Sequence, residues 1–213
     1  IIASILKKYY KGKTLKTFAV GLKNSVDLKY AKIVADYLET DHYELLLDED
    51  DMFNAIENDI YFIESYDTTT VRASTPMFLL TNYIKNNFDI TVLFSGEGSD
   101  EASGSYLYFR NAPNSISFYN ETVRLLKDLC FFDVLRSEKS VACAGLEARV
   151  PFLDKDFIEY YMAIDPALKN PENCNGVEKY LLRLSFESYL PKEIVWRTKE
   201  AFSDGVSDKD NSW

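Results

Sequence analysis

The stretch Leu15–Leu47, LKTFAVGLKNSVDLKYAKIVADYLETDHYELLL, decides the fold. Leu15 to Gly21 is rich in β-favouring residues and ends on glycine, so it reads as a strand. Ser25 then offers a helix cap. Ala31, Val34, Ala35 and Leu38 follow at three- and four-residue spacing, the signature of one helical face. His42 to Leu47 reads as a second strand. Two strands joined by a helix of this length make a parallel β-α-β crossover, which places the chain among α/β layered sheets.

Working outward, Met52, Ile56, Ile60 and Ile63 predict a helix over 52–63. Thr75-Pro76 pairs a cap with a proline suited to the first helical position, predicting a helix from there to about Asn86. Ile90–Phe94 reads as a third strand. After Gly104 no strand is expected, and Thr122–Leu129, Phe131–Ala144, Phe157–Met162 and Val177–Leu190 read as helices. Asp165–Gly176, rich in Pro and Asn, is the expected loop, and the polar tail beyond Ala201 is expected to be mobile. Ile1–Tyr10 is an amphipathic helix with no cap and no strand before it, and the first residue is not Met. The expectation is a fragment of something longer, organised as one domain in two parts, 1–104 α/β and 105–213 mainly helical.

The 213 residues carry a formal charge of -10, which argues against non-specific nucleic-acid binding and against an anionic membrane surface. A single histidine leaves no zinc cluster. Cys130, Cys143 and Cys174 are odd in number and without C-x-x-C spacing, so a reduced, cytoplasmic setting is expected.

Phe94–Glu101, FSGEGSDE, is the turn after the third strand, where α/β sheets bind ligands. Ser95 and Gly96 can offer amides and a hydroxyl, and Gly98 permits a positive φ. A helix starting near Glu97 would put Glu97, Asp100 and Glu101 on one face. Such acids can merely complement a helix dipole, or they can answer a phosphate that arrives with magnesium.

Four stretches carry a resemblance. SGEGSDE, YDTTTVRASTPM (Tyr66–Met77), GLEARVPFLD (Gly145–Asp154) and WRTKEAFSDGV (Trp196–Val206) resemble, in family order, the synthetase domain of the glutamine-hydrolysing asparagine synthetases. The resemblance implies a parallel sheet of the adenine nucleotide alpha hydrolase (Rossmann-like) type, with 1–104 as the nucleotide-binding part. It implies a ligase that activates aspartate with ATP and Mg2+ to β-aspartyl-AMP, which ammonia converts to asparagine. The ammonia would come from glutamine hydrolysed by a separate N-terminal glutaminase domain; a homodimer is a further expectation. By the same resemblance Val20 meets the adenine side, Ser95 and Gly96 meet the nucleotide, and Glu97 is the acid that forms or uses the acyl-adenylate. Thr69, Thr70, Arg72 and Lys199 lie near pyrophosphate. Asp100 is a candidate for magnesium or ammonium, and Asp133 and Arg136 are candidates for the aspartate site.

Plainer roles stand beside these. Thr68–Thr70 can be cap donors, and Arg72 and Lys199 solvated cations. Glu147 and Arg149 are expected as a partly buried structural pair, and Asp133 with Arg136 can be a surface pair. The family's Ser-Gly-Gly-x-Asp-Ser-Ser loop is absent from the chain, and Ser105 stands where the family has glycine. An adenylating relative acting on another carboxylate, and an inactive nucleotide-binding remnant, are the alternative readings.

Overall fold

The computed structural model describes residues 1–11, 13–207 and 213. Helix α1 (Ile2–Tyr9) leads into β1 (Lys16–Leu22), α2 (Val26–Leu38) and β2 (Asp41–Leu47), the crossover that the spacing predicts. Ser25 caps α2, its Oγ accepting the Leu28 amide at 3.2 Å, a bond of about 1 kcal/mol. The strands run parallel, from Lys16 opposite Asp41 to Leu22 opposite Leu47. Helix α3 (Glu49–Ile63) opens on a capping box of Asp48 and Asp51 and buries Met52, Ala55, Asp59 and Ile63 along one stripe.

Helix α4 (Thr68–Asn87) starts a full two turns before the expected Thr75-Pro76 cap. Asp67 opens it, accepting the Thr70 amide at 2.8 Å, and Pro76 lies inside the helix. A proline there removes the amide that would bond the Arg72 carbonyl. The neighbouring hydroxyls hold the weakened turn instead. Thr75 Oγ1 lies 2.8 Å from the Val71 carbonyl and 3.0 Å from Asp59 Oδ2, and Ser74 Oγ also donates to Asp59. A string that reads as a helix start is therefore the contact between α3 and α4.

Strand β3 (Val92–Phe94) is shorter than expected and pairs in parallel with β4 (Glu147–Arg149), a strand in the half expected to have none. Three residues are too few to show alternation, and the pairing is extended by backbone bonds from the Ser95 amide to the Arg149 carbonyl and from the Glu147 amide to the Thr91 carbonyl, at 2.9 and 2.7 Å. The α/β class holds. In place of one sheet, the described residues form two parallel two-stranded sheets, β1–β2 and β3–β4.

Helices α5 (Ser99–Ser103), α6 (Ser115–Asp128), α7 (Asp133–Ala142), α8 (Lys155–Ala163), α9 (Tyr180–Ser185), α10 (Lys192–Val195) and α11 (Phe202–Gly205) complete the chain. The expected helix over 177–190 is only α9 and a short 3-10 turn, Glu187–Tyr189. The expected loop over 165–176 contains two 3-10 turns and buries Lys169, Asn170, Pro171 and Cys174. The described residues after Ala201, up to Ser207, are packed rather than loose. Val206 is fully buried with Val20, Leu22, Leu47 and Met52, and its carbonyl accepts the Leu22 amide at 2.8 Å. Residues 208–212 of the expected mobile tail lie outside the described residues. A second core of Ile84, Val141, Ala144 and Leu146 packs on Phe18 and Leu93. No helix among the described residues is long and apolar enough to cross a membrane.

Candidate active site

A cleft of about 1390 Å³ lies between β1 and β3 and reaches the turn after β3. Strand β1 brings Val20 to it and α4 brings Thr69; the turn brings Ser95, Gly96, Glu97 and Asp100. Helix α7 contributes Asp133 and Arg136, and the segment before α11 contributes Lys199. Thr70 and Arg72 are not on its walls. Thr70 is buried, with Oγ1 donating to Asp67 at 2.9 Å. Arg72 turns towards the C-terminal segment, donating to the Trp213 carbonyl and to Asp204 Oδ1, each at 2.7 Å.

The turn itself differs from expectation in two ways. Helix α5 begins at Ser99, so Glu97 stands before it, with Gly98 between them at φ 85°. The Ser95 amide is not free for a ligand, because Arg149 already accepts it. The Glu147–Arg149 ion pair forms at 2.6 Å, but more than half of each side chain is exposed, so it is a surface pair. What the GLEARV stretch contributes is backbone: it is the strand that holds β3.

Two poles face each other in the cleft. At the first, Lys179 Nζ lies 3.1 Å from Asp100 Oδ1 and 3.1 Å from Ser99 Oγ, while Lys199 Nζ lies 3.6 Å from the same Asp100 oxygen. Ser105 donates its hydroxyl to Asp100. Burial pushes the Asp100 carboxyl up, but the two ammoniums and the Ser105 hydroxyl outweigh it and hold the group below the ordinary carboxylate range.

The second pole gathers Glu97, Glu101 and Asp133. Asp133 pairs with Arg136, and both are mostly buried rather than at the surface. Burial is the main cause that raises the Glu97 carboxyl to about 7; Asp133 and Asp100 push it the same way, against Arg136 and Lys179. Glu101 is only 3% exposed, and burial, aided by Asp133, drives its carboxyl upward against the hydrogen bond from Tyr106. A carboxyl that is part-ionised near neutrality can take or give a proton, and two adjacent ammoniums can neutralise a polyanion.

Sequence reasoning missed Lys179, Tyr106 and Arg183. Lys179 sits in the left-handed region at φ 55°, which no pattern in the surrounding GVEKY announces. Arg183 clamps the preceding residue, donating to the Glu178 carbonyl at 2.8 Å, and reaches the Arg197 carbonyl at 2.9 Å. It thereby ties the segment carrying Lys179 to the one carrying Lys199. Among the described residues no group of three His, Cys, Asp or Glu side chains could hold a metal ion. The three cysteines are all free.

The family model described as asparagine synthase matches the chain over residues 1–128 and 117–212. The chain is 47% identical over 218 aligned residues to the glutamine-hydrolysing asparagine synthetase of Cricetulus griseus, covering all of this chain and 38% of that protein. Against the proteins of the same name from Mus musculus and Homo sapiens the identities are 47% and 46%, with the same coverage. The chain thus spans well under half the length of the curated relatives it matches.

Proposed function

The chain belongs to the asparagine synthase family, and from that premise we propose that it carries the synthetase step of ATP-dependent asparagine formation. The observation that carries this reading is the meeting, in one cleft, of a paired-lysine pole with a half-buried carboxyl raised to about 7. The fold is read as an adenine nucleotide alpha hydrolase (Rossmann-like) domain whose sheet includes both strand pairs. The parts 1–104 and 105–213 count as one domain, a reading supported by β3 pairing with β4 across that division.

In the first step an oxygen of the aspartate side-chain carboxylate bonds the α-phosphorus of ATP, and the bond to pyrophosphate breaks. Charge gathers on the departing phosphoryl oxygens, where fixed cations stabilise the transition state most. Lys199 and Lys179 supply them, with Thr69 lining the same cleft and Val20, Ser95 and Gly96 along the nucleotide. In the second step ammonia bonds the acyl carbon and AMP leaves. The nitrogen must shed a proton, and Glu97 takes it. Asp133 and Arg136 flank the place where aspartate would sit. Thr70 and Arg72 act from the margin of the site, through the amino-terminal turns of α4.

Magnesium enters as part of the ATP substrate. Asp100, with two ammoniums and a hydroxyl around it, fits a carboxylate that organises cations better than one that ligates a metal. The relatives' glutamine-hydrolysing name and greater length support an ammonia-supplying glutaminase unit as partner. Three free cysteines suit the cytoplasm.

The test is exchange of labelled pyrophosphate into ATP, with aspartate as the acid, by the protein expressed from its own gene with its flanking sequence. Asparagine formation from ammonia follows as the second readout. Exchange with another carboxylate only would point to an adenylating relative, and no ATP binding would point to a remnant.

A further inference from the structure

Tyr106 belongs to none of the roles above, yet it touches both poles of the cleft. Its ring lies beneath Lys199, whose Nζ is 5.0 Å from the ring centroid, and it stacks at 6.2 Å on Tyr108 within 5° of parallel. Its hydroxyl donates to Glu101 Oε1 and lies 3.3 Å from Asp133 Oδ2. A phenol has one proton, so contact with two carboxyl groups at once requires one of them to carry a proton of its own. Glu101 is the group placed to carry it: in its neutral form it donates to the phenol oxygen and frees the phenol proton for Asp133; it is almost fully enclosed, and burial favours that form.

We propose that Tyr106 is a positioning residue with two separable tasks: its ring face aims Lys199 at the phosphate-binding pole, and its hydroxyl holds the Glu101–Asp133 carboxyl pair beside Glu97. The assignment rests on the functional reading above, which names what each pole does. A cation over an aromatic face is attracted to the ring, increasingly so as water is excluded. That is enough to favour one rotamer of a long lysine without fixing it by an ion pair alone. The charged groups facing this arrangement are Glu97, Asp100 and Glu101 from the turn and α5, Asp133 and Arg136 from α7, and Lys179 and Lys199 from the C-terminal segments.

Two variants separate the tasks, each made in the protein expressed from its own gene with its flanking sequence. Tyr106→Phe keeps the ring and removes the hydroxyl. Its affinity for inorganic pyrophosphate, measured by calorimetry, is expected within twofold of the unaltered protein. In carbon-13 spectra of labelled glutamate carboxyls, the titration of the Glu101 signal, identified by its absence from Glu101→Gln, is expected to move by half a pH unit or more. Tyr106→Leu removes the ring as well and is expected to weaken pyrophosphate binding at least fivefold; Tyr106→Met serves if the leucine variant does not fold.

Equal pyrophosphate affinity without the ring, or an unmoved carboxyl titration without the hydroxyl, overturns the assignment. No pyrophosphate binding by the unaltered protein overturns it too. Both binding and titration effects as expected, with no exchange or asparagine formed, leave Tyr106 established and overturn the functional reading instead.

Discussion

Leu153 fills the space that a side chain at position 98 would need: a Cβ built on Gly98 would lie 2.1 Å from Leu153 Cδ2 and 2.4 Å from its Cγ. The glycine also sits at φ 85°, where any residue with a Cβ is strained. The PFLD end of the GLEARVPFLD stretch is thus the wall against which the turn after β3 is formed. Gly98→Ala is expected to lose at least about 2 kcal/mol, the left-handed backbone alone costing about 1–2. In a double-mutant cycle, Leu153→Ala should recover the steric part and leave the backbone part. Strict additivity in urea melts would mean that the two residues do not meet.

The Glu97 carboxyl, raised from 4.5 to about 7, makes two pH predictions. As a base it must be ionised, so the rate of amide formation is expected to fall as pH drops through about 7, while Glu97→Gln abolishes that limb and spares pyrophosphate exchange. Stability runs the other way. The folded protein binds this proton more tightly than the unfolded chain, so the stabilisation is complete below about 4.5 and is lost as pH rises through about 7. Glu97→Gln has no such charge to bury. Its stability relative to the unaltered protein should therefore rise between pH 5 and pH 8.5, by at most about 3 kcal/mol, a tenfold change in proton affinity being worth about 1.4. A pH-independent difference in denaturant midpoints would place Glu97 in water.

Lysine at the first pole and arginine at the surface should behave differently when removed. Lys199→Met takes away one of two cations held on Asp100, and pyrophosphate exchange is expected to fall by about 10²–10³. Lys179→Met should fall in the same direction. Arg149→Ala removes only an exposed pair and should change stability by less than about 0.5 kcal/mol and leave exchange as it was. Equal losses for Arg149 and Lys199 would dissolve the distinction between the poles.

Much of this arrangement is legible in the chain where periodicity is long. The crossover from Lys16 to Leu47 follows its apolar spacing and its Ser25 cap. The turn at Ser95–Glu101 is marked by closely spaced glycines and acids, and most of the candidate residues do meet in one cleft. What escaped detection was short or decided at a distance. Glu147–Arg149 has three residues and no readable alternation, because its partner β3 and not its own pattern makes it a strand. Pro76 misplaced the start of α4 because the hydroxyls that accommodate it answer to Asp59, a carboxylate on another helix. Lys179 gains its role from a left-handed backbone and from Arg183 holding the residue before it. Arg72 matches its motif, yet its guanidinium is engaged by Asp204 of α11 and by the Trp213 carbonyl.

The final prediction concerns the cleft as a sheet edge. Among the described residues, strands β1 and β3 each pair on one side only, and Val92 and Phe94 of β3 are 40% and 49% exposed. Unpaired strand edges bearing apolar side chains are templates for further pairing. Residues 1–213 made as an isolated polypeptide are therefore expected to self-associate as concentration rises, seen as growing mass in static light scattering. Val92→Lys places a charge on the exposed edge and should raise the monomer fraction without moving the site carboxyls. A polypeptide that stays monomeric at high concentration and melts in one sharp transition would show that the free edges are already protected, against what the pairing of the four strands implies.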